Sequence, residues 1–262
     1  MSEKIIKTIA DFEKAISEIR YGRMPIIGEQ YQELYRGQSK DSYELKSGIS
    51  RYAITSEEIK DLENKILKDF KDLVNESEDT KRFIQLSIYD DDYQNEWRWL
   101  EQIQHYRLPT RLLDWTLDPK IALFFAVERN LQDSAQFWIF KSPLNWSYDD
   151  HFEYNPYSEN LDIISNSSFY IDESYVDKIA EHRRGIQSGK FTVQDYTKSM
   201  TSLETQEDLQ ARMIKYIIPA DSKKYFLDYL EEMNINEDTI YVKYDDVIEN
   251  VVAKIKTKYN FK

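Results

Sequence analysis

Apolar side chains recur every three or four residues in five segments of the chain. This spacing predicts amphipathic helices over residues 8–21, 56–74, 94–106 and 221–233, and from residue 245 onward. Thr8 and Ser56 stand at positions where helix N-cap residues are preferred. Each of these helices is expected to turn one face to a core and the other to water.

Shorter apolar and aromatic runs between the helices are typical of strands. They predict strands over residues 31–36, 110–115, 136–141, 212–218 and 239–244. Residues 142–172 are rich in Asn, Ser, Asp and Tyr, which indicates an irregular segment, and a helix is predicted over 174–182. Long helices mixed with short, separated strands favour an α+β fold.

One further segment is apolar on all sides. Asp118 followed by Pro119 combines an N-cap residue with a proline at the first helical position. The helix that this pair starts, residues 120–129, is apolar almost all round. A helix of this kind is buried, so we expect it at the centre of the domain.

Composition restricts the class of protein. The 262 residues are 41% hydrophobic, with 6 Gly, 6 Pro and no linker-like stretch, so we expect a single domain over residues 1–262. The chain has no Cys and only three His, which excludes thiolate sites, and no metal site is expected. No apolar segment approaches about 18 residues and residues 1–20 lack the apolar core of a signal peptide. A cytoplasmic location without a membrane partner is therefore expected.

The net charge of −13 would repel a polyanion from most of the surface. A nucleic acid or nucleotide therefore has to meet a local basic site. The positions of the arginines are for this reason more informative than their number.

Three segments combine arginine, glycine, amide and hydroxyl groups with aromatic neighbours. The first is Tyr35-Arg36-Gly37-Gln38 at a predicted strand end. Arginine offers a five-donor fork for phosphate, and glycine allows close backbone approach to a ligand. The alternative is an arginine paired with an acid beside a turn glycine.

The second segment, residues 104–116, has the highest density of functional groups. His105, Thr110, Arg111 and Asp114 need each other or a ligand if they are buried. In the alternative interpretation Asp114 pairs with Arg111 or caps the next helix, while Trp115 belongs to the core.

The third segment is Gln187-Ser188-Gly189-Lys190-Phe191, which follows two arginines. Glycine between an amide and an aromatic residue again suggests close backbone approach. A β-turn after helix-end arginines is the alternative.

The sequence contains no phosphate-cradling P-loop, no GxGxxG, no HExxH and no GxSxG motif, which removes support for the enzyme classes that these motifs mark. Two aspartate runs, residues 90–92 and 149–150, leave a metal-dependent nuclease or hydrolase as an alternative. Adjacent aspartates point in different directions, however, and are more typical of solvated loops.

Together the three segments resemble the FRG-domain family, named for an aromatic-Arg-Gly motif. The resemblance extends over about residues 30–250. Arg51 and Glu63 also stand where the family tends to carry an Arg and a Glu. One departure is Arg107, at a position where the family usually has Gly, which is expected to add charge or bulk.

More distantly, the layout resembles that of ADP-ribosyltransferases, which implies a split β-sheet flanked by helices and NAD as a substrate. Catalytic roles are expected for four residues: Arg36 and Gln187, from the resemblance, and His105 and Asp114, from their own chemistry. Nucleotide binding is expected of eight others: Tyr35, Gly37, Gln38, Thr110, Arg111, Trp115, Thr116 and Phe191. The segment after Gln187 lacks the Glu of that layout, and Asp114 is the carboxylate expected to replace it.

Two functions follow from this resemblance. The first is an NAD-dependent transferase that modifies a nucleic acid or a protein in a toxin or phage-defence role. The second is a non-catalytic nucleotide-sensing or protein-interaction module that uses the same pocket.

Overall fold

The computed structural model describes residues 4–20, 31–84, 93–143, 189–241 and 246–261. Its α-helices are α1 (Ile9–Arg20), α2 (Ser56–Asn75), α3 (Glu78–Ile84), α4 (Tyr93–His105), α5 (Pro119–Val127), α6 (Glu207–Gln210), α7 (Ala220–Glu232), α8 (Glu237–Ile240) and α9 (Asp246–Tyr259). Its strands are β1 (Lys4–Ile5), β2 (Tyr31–Gln38), β3 (Leu112–Thr116), β4 (Ala135–Pro143), β5 (Gly189–Val193) and β6 (Met213–Ile218). In the described part of the chain, 3₁₀ turns lie at Ile49–Arg51, Tyr196–Lys198 and Leu203–Thr205.

The strands form one six-stranded sheet in the order β1-β6-β4-β2-β3-β5. All neighbours are antiparallel except β1 and β6. The sheet nearly divides between β2 and β3, because Tyr35 opposite Thr116 is their single paired position, whereas β2 pairs with β4 along its whole length. The α+β prediction is confirmed, and the sheet forks beyond Tyr35.

Helix α5 packs on one face of the sheet together with α1 and α7. Its buried side chains join Tyr35 and Phe137 in one apolar cluster. Asp118 caps the helix by accepting a hydrogen bond from the Lys120 amide, and Pro119 is its first residue. The prediction of a buried central helix is therefore confirmed.

Among the described residues, the opposite face of the sheet packs against loops and short helical turns. Leu34, Trp115 and Phe140 pack there against Leu45 and Leu203. A third apolar cluster joins α2, α4 and α9 to the turn at Ile49–Arg51, beside the β3 end of the sheet. The described part of the chain is thus a sheet with helices packed on one face and an adjoining helical layer.

Most helices begin and end within one or two residues of the sequence prediction. The N-cap of α2 is Thr55 rather than Ser56, because Thr55 and Glu58 form a capping box. The strand predicted over residues 239–244 is wrong at its start, since Asn236 caps α8 there by accepting from the Thr239 amide. In both places a hydrogen bond to a local capping side chain sets where the helix begins.

The helix predicted over residues 174–182 and all but the first two residues of the irregular segment 142–172 lie outside the described residues. None of the described helices combines the length and the apolar character needed to cross a membrane.

Candidate functional site

A cleft of about 470 Å³ opens at the fork between β2 and β3. Nine of the residues singled out from the sequence line it: Tyr35, Arg36, Gly37, Gln38, His105, Asp114, Trp115, Thr116 and Phe191. The first two sequence segments therefore converge on one cavity. Its volume lies in the range usual for small-molecule sites.

Arg36 lies at the floor of the cleft with 17% of its side chain exposed. One terminal nitrogen donates a hydrogen bond to the main-chain carbonyl of Asp114 and lies 3.8 Å from its carboxylate. The Nε atom is buried and has no hydrogen-bond partner among the described residues. Burial lowers the pKa of Arg36, Asp114 counteracts this, and nearby Arg51 lowers it further.

Asp114 is held by a short chain of polar contacts. The Gln104 amide donates to both carboxylate oxygens, each at 3.0 Å. The amide oxygen of Gln104 in turn accepts a hydrogen bond of 2.7 Å from the Thr110 hydroxyl. This contact fixes the orientation of the Gln104 amide, so that its nitrogen faces Asp114. Asp114 keeps 56% of its side chain exposed, so the carboxylate is oriented but reachable.

Arg111 does not line the cleft and is buried in an ion pair of its own. Its main-chain amide and Nε donate to the two oxygens of Glu63, at 2.9 and 2.7 Å. Its guanidinium also lies 3.6 Å from the ring centre of Tyr196, whose hydroxyl donates to Glu63. Burial raises the pKa of Tyr196. These contacts give Arg111 a structural position, in place of the ligand contact expected from the sequence.

Thr110 is likewise fully buried and lies outside the cleft lining. It contributes to the site through Gln104 instead of touching a ligand. The alternative in which Asp114 pairs with Arg111 is wrong, because Asp114 pairs with Arg36 and Arg111 with Glu63.

Gly37 is required by the packing of β2 against α5. A Cβ atom on this residue would lie 1.9 Å from the carbonyl oxygen of Ala122 and 2.5 Å from the amide nitrogen of Ala126. The close approach that the glycine permits is therefore to a helix backbone. This contact holds α5 against the strand that carries Arg36.

Arg107, Glu128 and Arg129 line another part of the cleft and contact Tyr241 beside it. The guanidiniums of Arg107 and Arg129 lie 5.0 and 5.7 Å from the ring centre of Tyr241. The Tyr241 hydroxyl donates to Oε1 of Glu128, which also lies 3.6 Å from Nε of Arg129. Burial raises the pKa of Tyr241.

Arg107 has a φ of 59°, in the left-handed region that favours glycine. This explains in physical terms why a glycine suits this position. The arginine adds its charge to the cleft lining.

Glu128 has only 5% of its side chain exposed, and its Oε2 atom has no hydrogen-bond partner among the described residues. Burial raises the pKa of Glu128. The second oxygen of this carboxylate is thus an unsatisfied acceptor beside two arginines.

A buried lysine connects two segments that border the cleft. Lys223 of α7 is fully buried and donates to the carbonyls of Ser39, Arg129 and Asn130, at 2.8, 3.0 and 2.9 Å. Ser39 and Arg129 both line the cleft. Burial lowers the pKa of Lys223.

The third sequence segment reaches the cleft in part. Gly189, Lys190 and Phe191 begin β5 and line the cavity beside β3. Gln187 lies outside the described residues, so its proposed role stays a prediction.

Several cleft residues were not assigned to the site from the sequence. They are Gln104, Arg51, Arg107, Glu128, Arg129, Lys190, Tyr43 and Tyr52. Four of them had a signal in the sequence, since Gln104 and Lys190 lie in the segments that carry the family resemblance, and Arg51 and Arg107 stand at positions where the family has a preferred residue. Glu128 and Arg129 follow an apolar helix and read as ordinary surface charges, because only the fold brings the end of α5 to the cleft.

The cleft is basic although the chain is acidic. Among the described residues, its lining holds five arginines or lysines and two acids, Asp114 and Glu128. This is the local basic site that an anionic ligand requires in a chain of net charge −13. Within the described part of the chain, no group of three or more His, Cys, Asp or Glu is arranged to hold a metal ion.

Residues 32–135 match the family model of the FRG domain. The family resemblance drawn from the sequence is thereby confirmed over this segment. Comparison with curated proteins gives no match, and neither does comparison with solved structures.

Proposed function

We propose that this chain, which carries an FRG domain over residues 32–135, binds an NAD-type dinucleotide in the cleft and transfers its ADP-ribosyl group. The observation that supports this most directly is Arg36. A guanidinium with a buried, unpartnered Nε lies beside an exposed carboxylate in a basic cleft. Buried polar groups in native proteins are nearly always paired, so an orphan donor at a cavity suggests a polar ligand.

The residues present fit such a ligand. Arg36 and Arg51 would bind the pyrophosphate, since a guanidinium matches phosphate oxygens with two donors. Lys190 would add a point charge on the β5 side. Phe125, which also lines the cleft, offers an aromatic surface for a base or for nicotinamide.

NAD supplies the ADP-ribosyl group and loses nicotinamide. Asp114 stabilises the positive charge that develops at the anomeric carbon as the carbon–nitrogen bond breaks and its electron pair leaves with nicotinamide. The acceptor nucleophile forms the new bond to that carbon, and its proton passes to Asp114 or His105. Gln104 is a positioning residue that holds the Asp114 carboxylate.

The acceptor in this proposal is a nucleic acid or a protein. A transferase that spends NAD on such acceptors would serve as a toxin or a phage-defence effector. The cytoplasm, where NAD and both acceptor classes occur, is the location that the proposal requires.

The test uses the full chain with labelled NAD and with RNA, DNA or protein acceptors. Wild type should release nicotinamide, whereas Arg36→Lys and Asp114→Asn should lower the rate by at least about 100-fold, since each removes transition-state stabilisation. Asp61→Asn, an exposed acid on α2, is the matched control and should keep the wild-type rate. Wild type that consumes no NAD with any acceptor would refute the transferase.

The second candidate is a module that binds a nucleotide without turnover. It is favoured by the engagement of Asp114, whose two oxygens already accept from Gln104 while Arg36 lies beside them. A carboxylate neutralised in this way is a weaker catalyst. This candidate predicts that nucleotide raises the melting temperature with its concentration while the nucleotide stays intact.

A further inference from the structure

Glu128 presents a buried acceptor that the proposed transfer reaction does not use. Its side chain is 5% exposed and borders the cleft, and Oε2 has no hydrogen-bond partner in the described part of the chain. Leaving a buried acceptor unsatisfied costs free energy. A donor supplied by a ligand would remove that cost.

The other oxygen of Glu128 is held in place. Tyr241 donates to Oε1, and Arg129 lies 3.6 Å from the same atom. Because one oxygen is fixed by the protein, the carboxylate has a defined orientation. A ligand hydroxyl is the donor that best suits a buried carboxylate flanked by cations, since an ammonium would be repelled by the two arginines.

The two arginines beside Glu128 suit an anion. Arg107 and Arg129 both lie over the ring of Tyr241, which places two guanidiniums around one aromatic group. Arg107 occupies the left-handed backbone region, where a non-glycine residue is disfavoured. An arginine held at this position against its backbone preference suggests a role for its charge.

We propose that Glu128, Arg107 and Arg129 form a subsite for a ribose with an adjacent phosphate. Glu128 accepts hydrogen bonds from ribose hydroxyls, and the two arginines bind the phosphate. This inference rests on the proposed nucleotide binding and specifies it further, because it requires a ribonucleotide in preference to a deoxyribonucleotide.

The test compares the binding of ADP and 2′-deoxy-ADP to the full chain by calorimetry. Wild type should bind ADP roughly tenfold more tightly or better, because the deoxy compound leaves the Glu128 acceptor unsatisfied. Glu128→Gln should reduce this preference to about twofold or less while 2′-deoxy-ADP still binds. Glu232→Gln, an exposed acid at the end of α7, is the matched control and should keep the wild-type preference.

Variants of the two arginines distinguish recognition of the phosphate from recognition of the ribose. Arg107→Gly and Arg129→Gln should each lower the affinity for ADP and for 2′-deoxy-ADP by a similar factor, roughly tenfold. The ratio of the two affinities should stay unchanged. Melting curves would confirm that each variant is folded, and Tyr241→Phe, which keeps the carboxylate but loses one hydrogen bond to it, should give an intermediate ratio.

The possible failures can be told apart. Equal affinity of wild type for ADP and 2′-deoxy-ADP, or an unchanged preference in folded Glu128→Gln, overturns the ribose subsite and leaves nucleotide binding intact. Wild type that binds neither compound overturns both proposals.

Discussion

Arg36 donates a hydrogen bond to the main-chain carbonyl of Asp114 across the gap where β2 and β3 separate. The two strands pair at one position, Tyr35 opposite Thr116, and the Arg36 side chain spans the fork beyond it. The cleft thus lies where the sheet opens, and the side chain that bridges the opening keeps a buried Nε without a hydrogen-bond partner among the described residues.

Gly37→Ala should unfold or strongly destabilise the protein, by about 3 kcal/mol or more, because the new Cβ would overlap backbone atoms of α5 that cannot move aside. Gly48→Ala is the matched control. Its Cβ would meet only Pro109 at 3.6 Å, and its φ of −59° suits alanine, so a change within about 0.5 kcal/mol is expected. Urea unfolding of the two variants measures the difference, and equal stability would contradict the packing argument.

At Arg107, glycine should be more stable than alanine by about 1 kcal/mol, because only glycine adopts a φ of 59° without a steric cost. At residues with negative φ, alanine is instead more stable than glycine. Asn234, with a φ of 58°, should show the same order as Arg107, but its variants should leave ADP affinity unchanged. Thermal unfolding of the four variants, with calorimetric titration of ADP, separates backbone strain from ligand binding.

Glu63→Gln should cost about 3–5 kcal/mol, since it leaves the buried Arg111 guanidinium without its counter-charge. The double variant Glu63→Leu with Arg111→Met should lose less free energy of unfolding than Glu63→Leu alone, because no unpaired charge stays buried. Glu18→Gln serves as the control, because the exposed pair of Glu18 with Lys14 contributes at most about 1 kcal/mol. If Arg111→Met weakened nucleotide binding in a stably folded protein, the structural role would be wrong.

Glu128 should make the stability of the protein depend on pH. Burial raises its pKa above the ordinary value of 4.5 and Glu237 adds to the rise, although Tyr241, Arg129 and Arg107 counteract it. The unfolded chain therefore releases this proton at a lower pH than the folded chain. Stability is lost as the pH rises from about 4.5 through the folded pKa.

Glu128→Gln removes this titration, so the variant should gain stability relative to wild type as the pH is raised across that window. Urea unfolding at several pH values measures the difference between the two proteins, which cancels the other acidic groups. Glu232→Gln, exposed at the end of α7, should show no such trend. A difference that stays constant with pH would show that Glu128 titrates normally.

The sequence predicted the helices well because their signals are local. The spacing of apolar residues in α2 and the Asp118-Pro119 start of α5 needed no knowledge of distant contacts. The strand predicted over residues 239–244 is wrong at its start for a local reason too, since the Asn236 cap outweighed the β-branched and aromatic residues that follow. Residues 242–244 lie outside the described part of the chain.

The site was predicted less completely, because its composition depends on which segments meet. Arg36 and Asp114 belong to motifs visible in the sequence, but no local pattern separates the cleft-facing Arg107 from Arg111, which is buried against Glu63. Glu128 lies fourteen residues after Asp114 in a region that reads as a helix end. Its partner Tyr241 is far away in the sequence, so this pair becomes visible only in three dimensions.

The contacts of Lys223 limit how short a stably folded fragment of this chain can be. Its ammonium fastens the end of β2 to the end of α5, and it comes from α7, well beyond residue 135, where the family match stops. A fragment trimmed to residues 32–135 would also lose β5, β6 and nearly all of β4. The matched segment is therefore a signature carried by a larger folding unit, and a minimal autonomous version of this protein has to extend at least through α7.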